Sequence, residues 1–458
     1  MKRRFPKSEV ALYEKSGRSG GRMVSVALAG LRPLELGAAF VSSRHPRILR
    51  LARDLSCDLA PVAFKSDGVF ARDRWLNAGA GATGQAMLAA TLAALAPDYF
   101  AQPPKRACLD SLSQLKLGDR YLWRCTIDEV LRRHWPADAI YRARATHGCT
   151  SNFGAANALD TLLTAAWEGA PGQRFFRFVN GAEAFCRSVL EDGVRAGVDV
   201  RTHYELAAIT RAPAGLRLVF KTPAGACALE ADVVILALPR HGVADLAIAE
   251  DIAGSRFRRD LGAIVDVPAF KLFLAYNAPW WRARGFAKNA GEVSAVFTDL
   301  PLQQNYFENE GRVMLGVFAD GDNARVWRRY VEGAPSSALA PKALLCAAQR
   351  ALTRLYGDIP APCAGVYASW RAGWHHWRAG VRSSEVRERL AQPNPDLPLF
   401  ICGELLAEHA GWSESALDNA EDTIERASAW MASFKSQALA SRSPLAPDGG
   451  ASTRKVQS

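Results

Sequence analysis

The chain has 458 residues, 49% of them apolar, 22% charged and 9% aromatic. At roughly 100–200 residues per domain this allows two to four domains around a large core, and it excludes a peptide hormone, a zinc finger or a lone binding module. Lys and Arg (57) outnumber Asp and Glu (46), for a net charge of +11, but the cations are scattered, and the short runs Lys2-Arg3-Arg4 and Arg132-Arg133-His134-Trp135 make no basic stripe, so no nucleic-acid partner is expected.

From the start, Met1 to Pro6 is polar and basic, without the apolar stretch of a signal peptide, and no 18-residue apolar run occurs anywhere, so no membrane span and a cytoplasmic location are expected. The nine cysteines (Cys57, Cys108, Cys125, Cys149, Cys186, Cys227, Cys346, Cys363, Cys402) form no Cys-x-x-Cys pair and have no His at ligand spacing. They read as free thiols in a reducing compartment, with no metal. Val10 to Glu14 is a β-rich run ending in a carboxylate, and Lys15 to Arg22 is a glycine-rich turn. Pro46 opens a helical pattern with Ile48, Leu49, Ala52 and Leu55 on one face; residues 84–96 and 155–167 are further helices, so the middle of the chain is expected to be mainly helical. Near residue 180 the texture changes. Glu183 to Arg195 reads as a helix, Val198 to Val200 and Leu206 to Ile209 as short strands, and Leu216 to Phe220 with Ala226 to Leu229 as a hairpin. Asp232 to Leu238 is a buried strand stopped by Pro239, and Phe270 to Trp281 is another apolar strand. Leu399 to Glu404 is a last buried strand ending in Gly403-Glu404, and Ser415 to Ala432 is its following helix. The final residues are rich in Ser, Pro, Gly and Lys and read as disordered.

A carboxylate at the end of a strand can hold two ribose hydroxyls, as in dinucleotide-binding folds, and Glu14 is placed for this; Gly20-Gly21-Arg22 lets backbone approach a pyrophosphate and supplies a guanidinium. Taken as a set, several segments in order resemble the flavin-containing amine oxidase family, which includes monoamine oxidases, polyamine oxidases and L-amino-acid oxidases. They are Val10 to Glu14 with Arg18 to Arg22, then Glu35-Leu-Gly-Ala-Ala-Phe-Val41 with His45 and Ile48 to Ala52, then Asn180-Gly181 and Ala231 to Pro239. Lys271-Leu-Phe-Leu-Ala-Tyr with Pro279-Trp-Trp281, Phe400-Ile-Cys-Gly-Glu404 and Gly411-Trp-Ser-Glu-Ser-Ala-Leu417 complete it. The resemblance spans residues 8 to about 430.

That resemblance implies a two-domain α/β fold, with a Rossmann-like FAD domain and a mixed α+β substrate domain. Residues 1–45, 175–265 and 390–435 would form the FAD domain, 46–174 and 266–389 the substrate domain with its helical part, and 436–458 a disordered tail. It implies non-covalent FAD held by Glu14, Gly21, Arg22, Gly37, Ala38, Leu206, Gly403, Glu404, Trp412, Ser413 and Ala416. Lys271, an ionisable residue inside an apolar strand that is costly to bury without a task, would hold a water at flavin N5. Trp374, His376 and Trp377, from the run Gly373-Trp-His-His-Trp377, would line a π-rich substrate pocket that favours the neutral amine. No Cys falls in that run, where monoamine oxidases carry their covalent flavin link. Arg44 would clamp a substrate carboxylate, although later in register than in amino-acid oxidases. The implied reaction is oxidative deamination of an amine or L-amino acid, with oxygen as the second substrate and peroxide as product. Two alternatives are a related flavin desaturase or isomerase acting on an apolar substrate, and a truncated or degenerate paralogue that binds FAD poorly. The last arises because the family's Gly-x-Gly-x-x-Gly strand and helix do not precede residue 8, and Met1 to Pro6 reads as the tail of that helix. The residues leave the oligomeric state open.

Overall fold

The computed structural model describes residues 1–27, 32–76, 83–97, 112–169, 172–213, 215–289, 291–308 and 311–440, with side chains to 433. Its largest element is a 10-stranded mixed sheet. Ile264–Ala275 is an inner strand, third from one edge, antiparallel to Val313–Asp320 on one side and to Ala364–Trp377 on the other, with Lys271 opposite Phe318 and Ala368. Pro268 sits where the register shifts between Val267 and Ala269, a bulge that tolerates a residue with no ladder donor. The strand therefore begins at Ile264, ahead of the expected Phe270, and ends at Ala275, leaving Trp280–Ala283 as a short helix.

Helix Lys342–Tyr356 packs its apolar face on this sheet, burying Leu344, Ala348 and Leu352 against Leu272, Leu274 and Val317. Further along the sheet, Glu292–Thr298 pairs in parallel with Leu59–Ala71, which pairs in turn with Phe175–Phe178. This 13-residue strand corrects the expectation of a mainly helical middle. Its centre, Lys65-Ser-Asp-Gly68, interrupts the apolar alternation by which a strand is recognised, and those polar side chains are exposed or half-buried.

The helices that do form in this region make a separate bundle. Gly84–Leu95, Ile127–His134, Ala137–His147 and Ala158–Glu168 bury Leu88, Leu92, Leu131, Ala143 and Leu162 among themselves. Thr126 and Glu129 form a reciprocal capping box at the second of these helices. Asn157 caps the last one: its Oδ1 accepts from Leu159 and Asp160 amides, while its Nδ2 donates to the carbonyls of Trp123, Arg378 and Val381.

The remaining elements are smaller sheets. Val10–Tyr13 runs parallel to Val198–Arg201, and Val234–Leu236 runs parallel to Leu399–Ile401; among the described residues these two pairs are not bonded to each other. A meander of Glu205–Ala212, Gly215–Thr222 and Gly225–Ala231 shares a core with the second pair through Ile209, Phe220, Leu236 and Ile401. Helix Ala182–Arg195 precedes Val198–Arg201, and helix Ser413–Ala440 closes the described chain, running past the expected Ala432. Of the tail expected from 436, residues 441–458 lie outside the described residues. Glu414 binds this closing helix to Pro46–Asp54 by accepting the amides of Arg47 and Ile48 at 3.0 Å each. It satisfies two of the orphan donors at that helix start with a negative charge. No helix among the described residues is long and apolar enough to cross a membrane.

Candidate active site

A cavity of about 2320 Å³ runs between the large sheet, the helical bundle and the smaller parallel pairs. A pocket for one drug-sized ligand spans roughly 300–1,000 Å³, so this one has room for a dinucleotide-sized cofactor together with a substrate.

One end is made by the turn after Val10–Tyr13. Glu14 Oε1 accepts from the amide and hydroxyl of Ser16, both at 2.7 Å. Its Oε2 has no hydrogen-bond donor among the described residues, which leaves an acceptor on the cavity wall beside Gly21. Arg22 turns the other way. Its Nη1 donates to the Gly373 carbonyl and to Glu404 Oε2, each at 2.8 Å. Glu404 Oε1 also accepts the Gly411 amide at 3.0 Å and meets His375 Nδ1 at 2.9 Å. Burial works against the Glu404 charge, but His375 and Arg22 outweigh it and hold the carboxyl well below the usual carboxylate range. Three distant segments are thereby joined at one buried carboxylate: the first turn, the aromatic strand Ala364–Trp377, and the loop after Leu399–Ile401.

The loop from Glu35 to Ala38 crosses the middle of the cavity. Gly37 packs so closely on the Arg22 backbone that a Cβ there would collide with the Arg22 carbonyl. Ala38 follows on the wall. Lys271, 6% exposed, donates to the carbonyls of Glu35 at 3.1 Å and Gly37 at 2.6 Å, and its ammonium lies 4.9 Å from the Phe318 ring centroid. Burial pulls its pKa down to about 8, against a smaller upward pull from Glu35. Lys271 also lines the cavity, so an amine that still carries its proton at neutral pH but gives it up more easily than an ordinary lysine opens onto it.

Aromatic and histidine side chains form the far wall. Trp374 and His376 line it from the strand Ala364–Trp377 of the large sheet, with Trp377 at that strand's end. His376 is held neutral, its pKa lowered to about 4 by burial. Gly403, with φ of 107°, turns the chain after Leu399–Ile401 into the cavity. Trp412, Ser413 and Ala416 bring the start of the closing helix to the wall, where helix N–H groups favour an electron-rich ligand atom.

Arg44 and Leu206 are not brought to the cavity. The Arg44 side chain is exposed, and its backbone amide is tied to Ser42 Oγ at 3.0 Å, which turns the residue away from the wall. Leu206 is packed with Tyr13 and Phe220 against the meander core. The other fourteen predicted site residues line the cavity.

Glu168 is a residue that the sequence reading missed. It stands at the C-terminal end of Ala158–Glu168 on the cavity wall, where its Oε1 accepts the Trp412 indole N–H at 2.6 Å and Gln85 approaches Oε2 at 3.5 Å. Burial raises its pKa to about 7, despite those donors. Next to it Trp167 is stacked between His45 and His409, with centroids at 5.3 and 4.8 Å. Burial lowers these imidazoles to about 4 and about 3, so both are neutral. The signal available in the sequence was a Trp-Glu pair ending an Ala/Leu helix, which reads equally well as an ordinary solvated helix end.

A cofactor with a ribose, a charged linker and a flat ring system fits these residues: Glu14 offers the open acceptor, Gly37 and Gly403 keep the backbone close to the cavity, and the closing helix presents its N-terminus. No group of three or more His, Cys, Asp or Glu able to hold a metal occurs among the described residues.

The family profile for flavin containing amine oxidoreductase matches residues 5–423. Aplysianin-A from Aplysia kurodai is 26% identical over 218 residues, 42% of this chain and 38% of that protein, so the match spans well under half of the relative's length. Two engineered variants of putrescine oxidase, made to redesign its cofactor binding, share the fold. One has a TM-score of 0.69 at 17% identity, and the other 0.67 at 16%; in both cases 94% of each chain is covered.

Proposed function

The chain belongs to the flavin-containing amine oxidoreductase family, and from that premise we propose that it is an FAD-dependent oxidase that deaminates an amine or L-amino acid with release of peroxide. The observation that carries the reading is Lys271, a buried amine with lowered pKa opening onto a cavity large enough for cofactor and substrate together. When bound, the flavin supplies the acceptor for the hydride on the carbon beside the amine and passes the electrons to oxygen.

The chain's own residues do the rest. Glu14 is proposed to hold the adenosine ribose through its open oxygen, and Gly21, Gly37, Ala38 and Gly403 to keep backbone in reach of the cofactor. Arg22 and Glu404 act chiefly on each other, fixing the loops that embrace it. Trp412, Ser413 and Ala416 are proposed to face the flat ring. Lys271, anchored on two carbonyls, keeps a hydrogen-bonding group at the reacting end and holds a water there. Trp374, His376 and Trp377 exclude water and favour the uncharged form of an incoming amine, because a low-dielectric, neutral wall penalises the ammonium. After oxidation the imine is hydrolysed to a carbonyl and ammonia.

Non-covalent FAD is supported by the cavity thiols. Burial raises Cys186 to about 12 and Cys402 to about 11, and lifts Cys149 well above its ordinary value, so none offers a thiolate at neutral pH. All described cysteines are free, which supports a cytoplasmic location.

The test is a flavin and peroxide assay on the purified chain. The proposal expects yellow protein whose FAD is released intact by denaturation, and peroxide on addition of some amine or amino acid. Colourless protein that takes up no FAD overturns it. Peroxide, or a new double bond, only with amine-free apolar substrates would favour the desaturase reading.

A further inference from the structure

A second cleft, of about 730 Å³, opens where the segments around Tyr121, Arg256 and Arg378 meet, and it shares no lining residue with the large cavity. Six of its lining residues are arginines, namely Arg124, Arg256, Arg259, Arg378, Arg382 and Arg389, against two carboxylates, Asp260 and Glu385. Both carboxylates are already engaged. Arg389 grips Asp260 with a two-pronged pair at 2.7 and 2.9 Å, and Arg382 Nη1 donates to Glu385 at 2.6 Å.

Four cations are left without a carboxylate. The Arg256 and Arg259 side chains are exposed and make no hydrogen bond among the described residues. Arg378 uses only its Nε, on the Gly262 carbonyl at 2.8 Å. Arg124 lies over the Trp123 ring at 4.8 Å from its centroid, and Arg382 also lies over it, at 5.4 Å. Tyr121 stacks on Trp123 at 5.6 Å and extends that aromatic wall.

The walls are also fixed in place. The Gly380 amide donates to the Trp123 carbonyl at 2.8 Å, and the Arg378 amide to that of Ala263 at 3.0 Å. Asn157 Nδ2 holds the carbonyls of Trp123, Arg378 and Val381 together from beneath. Four like charges line one cleft whose two carboxylates are already paired, so an incoming anion meets an excess of positive charge. A guanidinium presents a fork of N–H donors matched to the oxygens of phosphate or carboxylate.

We propose that this cleft binds a small polyanion carrying at least two phosphate or carboxylate groups. Its volume lies in the roughly 300–1,000 Å³ range of small-molecule sites. Arg256 and Arg259 are the principal ligands, with Arg378 and Arg124 beside them.

Isothermal titration of the full chain at about 0.15 M salt, where long-range attraction is screened, tests this with tripolyphosphate and citrate as probes. The two arms distinguish a phosphate from a carboxylate ligand. One-to-one binding of at least one probe is expected, weakened about tenfold or more in Arg256→Gln/Arg259→Gln. Both side chains are exposed and make no hydrogen bond among the described residues, so the fold is expected to be kept, which matching thermal unfolding curves check. A control pair, Arg132→Gln/Arg133→Gln, removes the same charge from a helix outside the cleft and is expected to bind as the unsubstituted protein does. Failure of both probes to bind, a stoichiometry well above one, or a loss no larger than in the control would overturn the proposal.

Discussion

Lys271, buried, and Glu168, half-buried on the cavity wall, are titratable groups whose pKa values have moved towards neutrality, and each predicts a pH dependence of its own. For Lys271 the folded value is about 8 and the ordinary value 10.5. Between them the unfolded chain holds a proton that the folded chain has lost, so stability rises with pH across that window. Urea unfolding at pH 8 and pH 10 is expected to show about 2 kcal/mol more stabilisation in the unsubstituted protein than in Lys271→Met; identical gains would show that Lys271 is not desolvated. Glu168 has the opposite sign. Its folded value of about 7 lies above the ordinary 4.5, so the folded state holds the extra proton and stability falls as pH rises between them. Glu168→Gln keeps an acceptor for Trp412 and removes the titration. The kcat/KM profile is expected to lose an ionisation near pH 7 in this variant, and an unchanged profile would assign that ionisation elsewhere. Of these residues Lys271 was legible, because an ammonium inside Phe270 to Ala275 conflicts with its apolar neighbours. Glu168 was not, because its partner Trp412 lies 244 positions away and only the fold brings them together.

At the scale of elements, patterns whose periodicity agrees with their environment were readable. Helices Gly84–Leu95 and Ala182–Arg195 and the hairpin Gly215–Thr222 with Gly225–Ala231 fall within a few residues of expectation. Leu59–Ala71 was hidden because its polar middle borders the cavity, where function breaks the alternation that burial imposes elsewhere. Arg44, already later in register than in amino-acid oxidases, misses the cavity because the two-residue strand Val41–Ser42 and the tight turn after it send the side chain outwards. Elements here are tied together by single polar residues. Asn157 caps one helix and binds three carbonyls from two other segments, all while 1% exposed. Asn157→Ala strands those buried groups, and chemical denaturation is expected to show a loss of about 2–4 kcal/mol; a loss below about 1 kcal/mol would mean that water replaces the amide. Glu404→Gln, which leaves Arg22 and His375 facing a neutral amide, is expected to cost about 3 kcal/mol and to weaken FAD retention on gel filtration. Full retention would show that the loops stay in place without the ion pair.

For the whole molecule, the cavity is the feature around which the other parts are arranged. Lys271 comes from the large sheet, Glu168 from the helical bundle, and Glu14, Glu404 and Trp412 from the smaller parallel pairs and the closing helix, so the wall is complete only when all three parts have folded. Family membership was readable because the large sheet, the smaller parallel pairs and the closing helix each left a short ordered trace in the sequence, while the helical bundle left none. Substrate identity was not, because the wall mixes cations, neutral imidazoles and a titrating carboxylate contributed by segments far apart in the chain. Amine oxidation is tested most directly by anaerobic mixing of the FAD-loaded protein with a panel of amines and amino acids while the visible flavin absorbance is followed. Bleaching by at least one of them is expected, with colour returning on exposure to air and about one peroxide formed per flavin, and much slower bleaching in Lys271→Met. A protein that retains no flavin, or whose flavin no amine or amino acid bleaches, would contradict it.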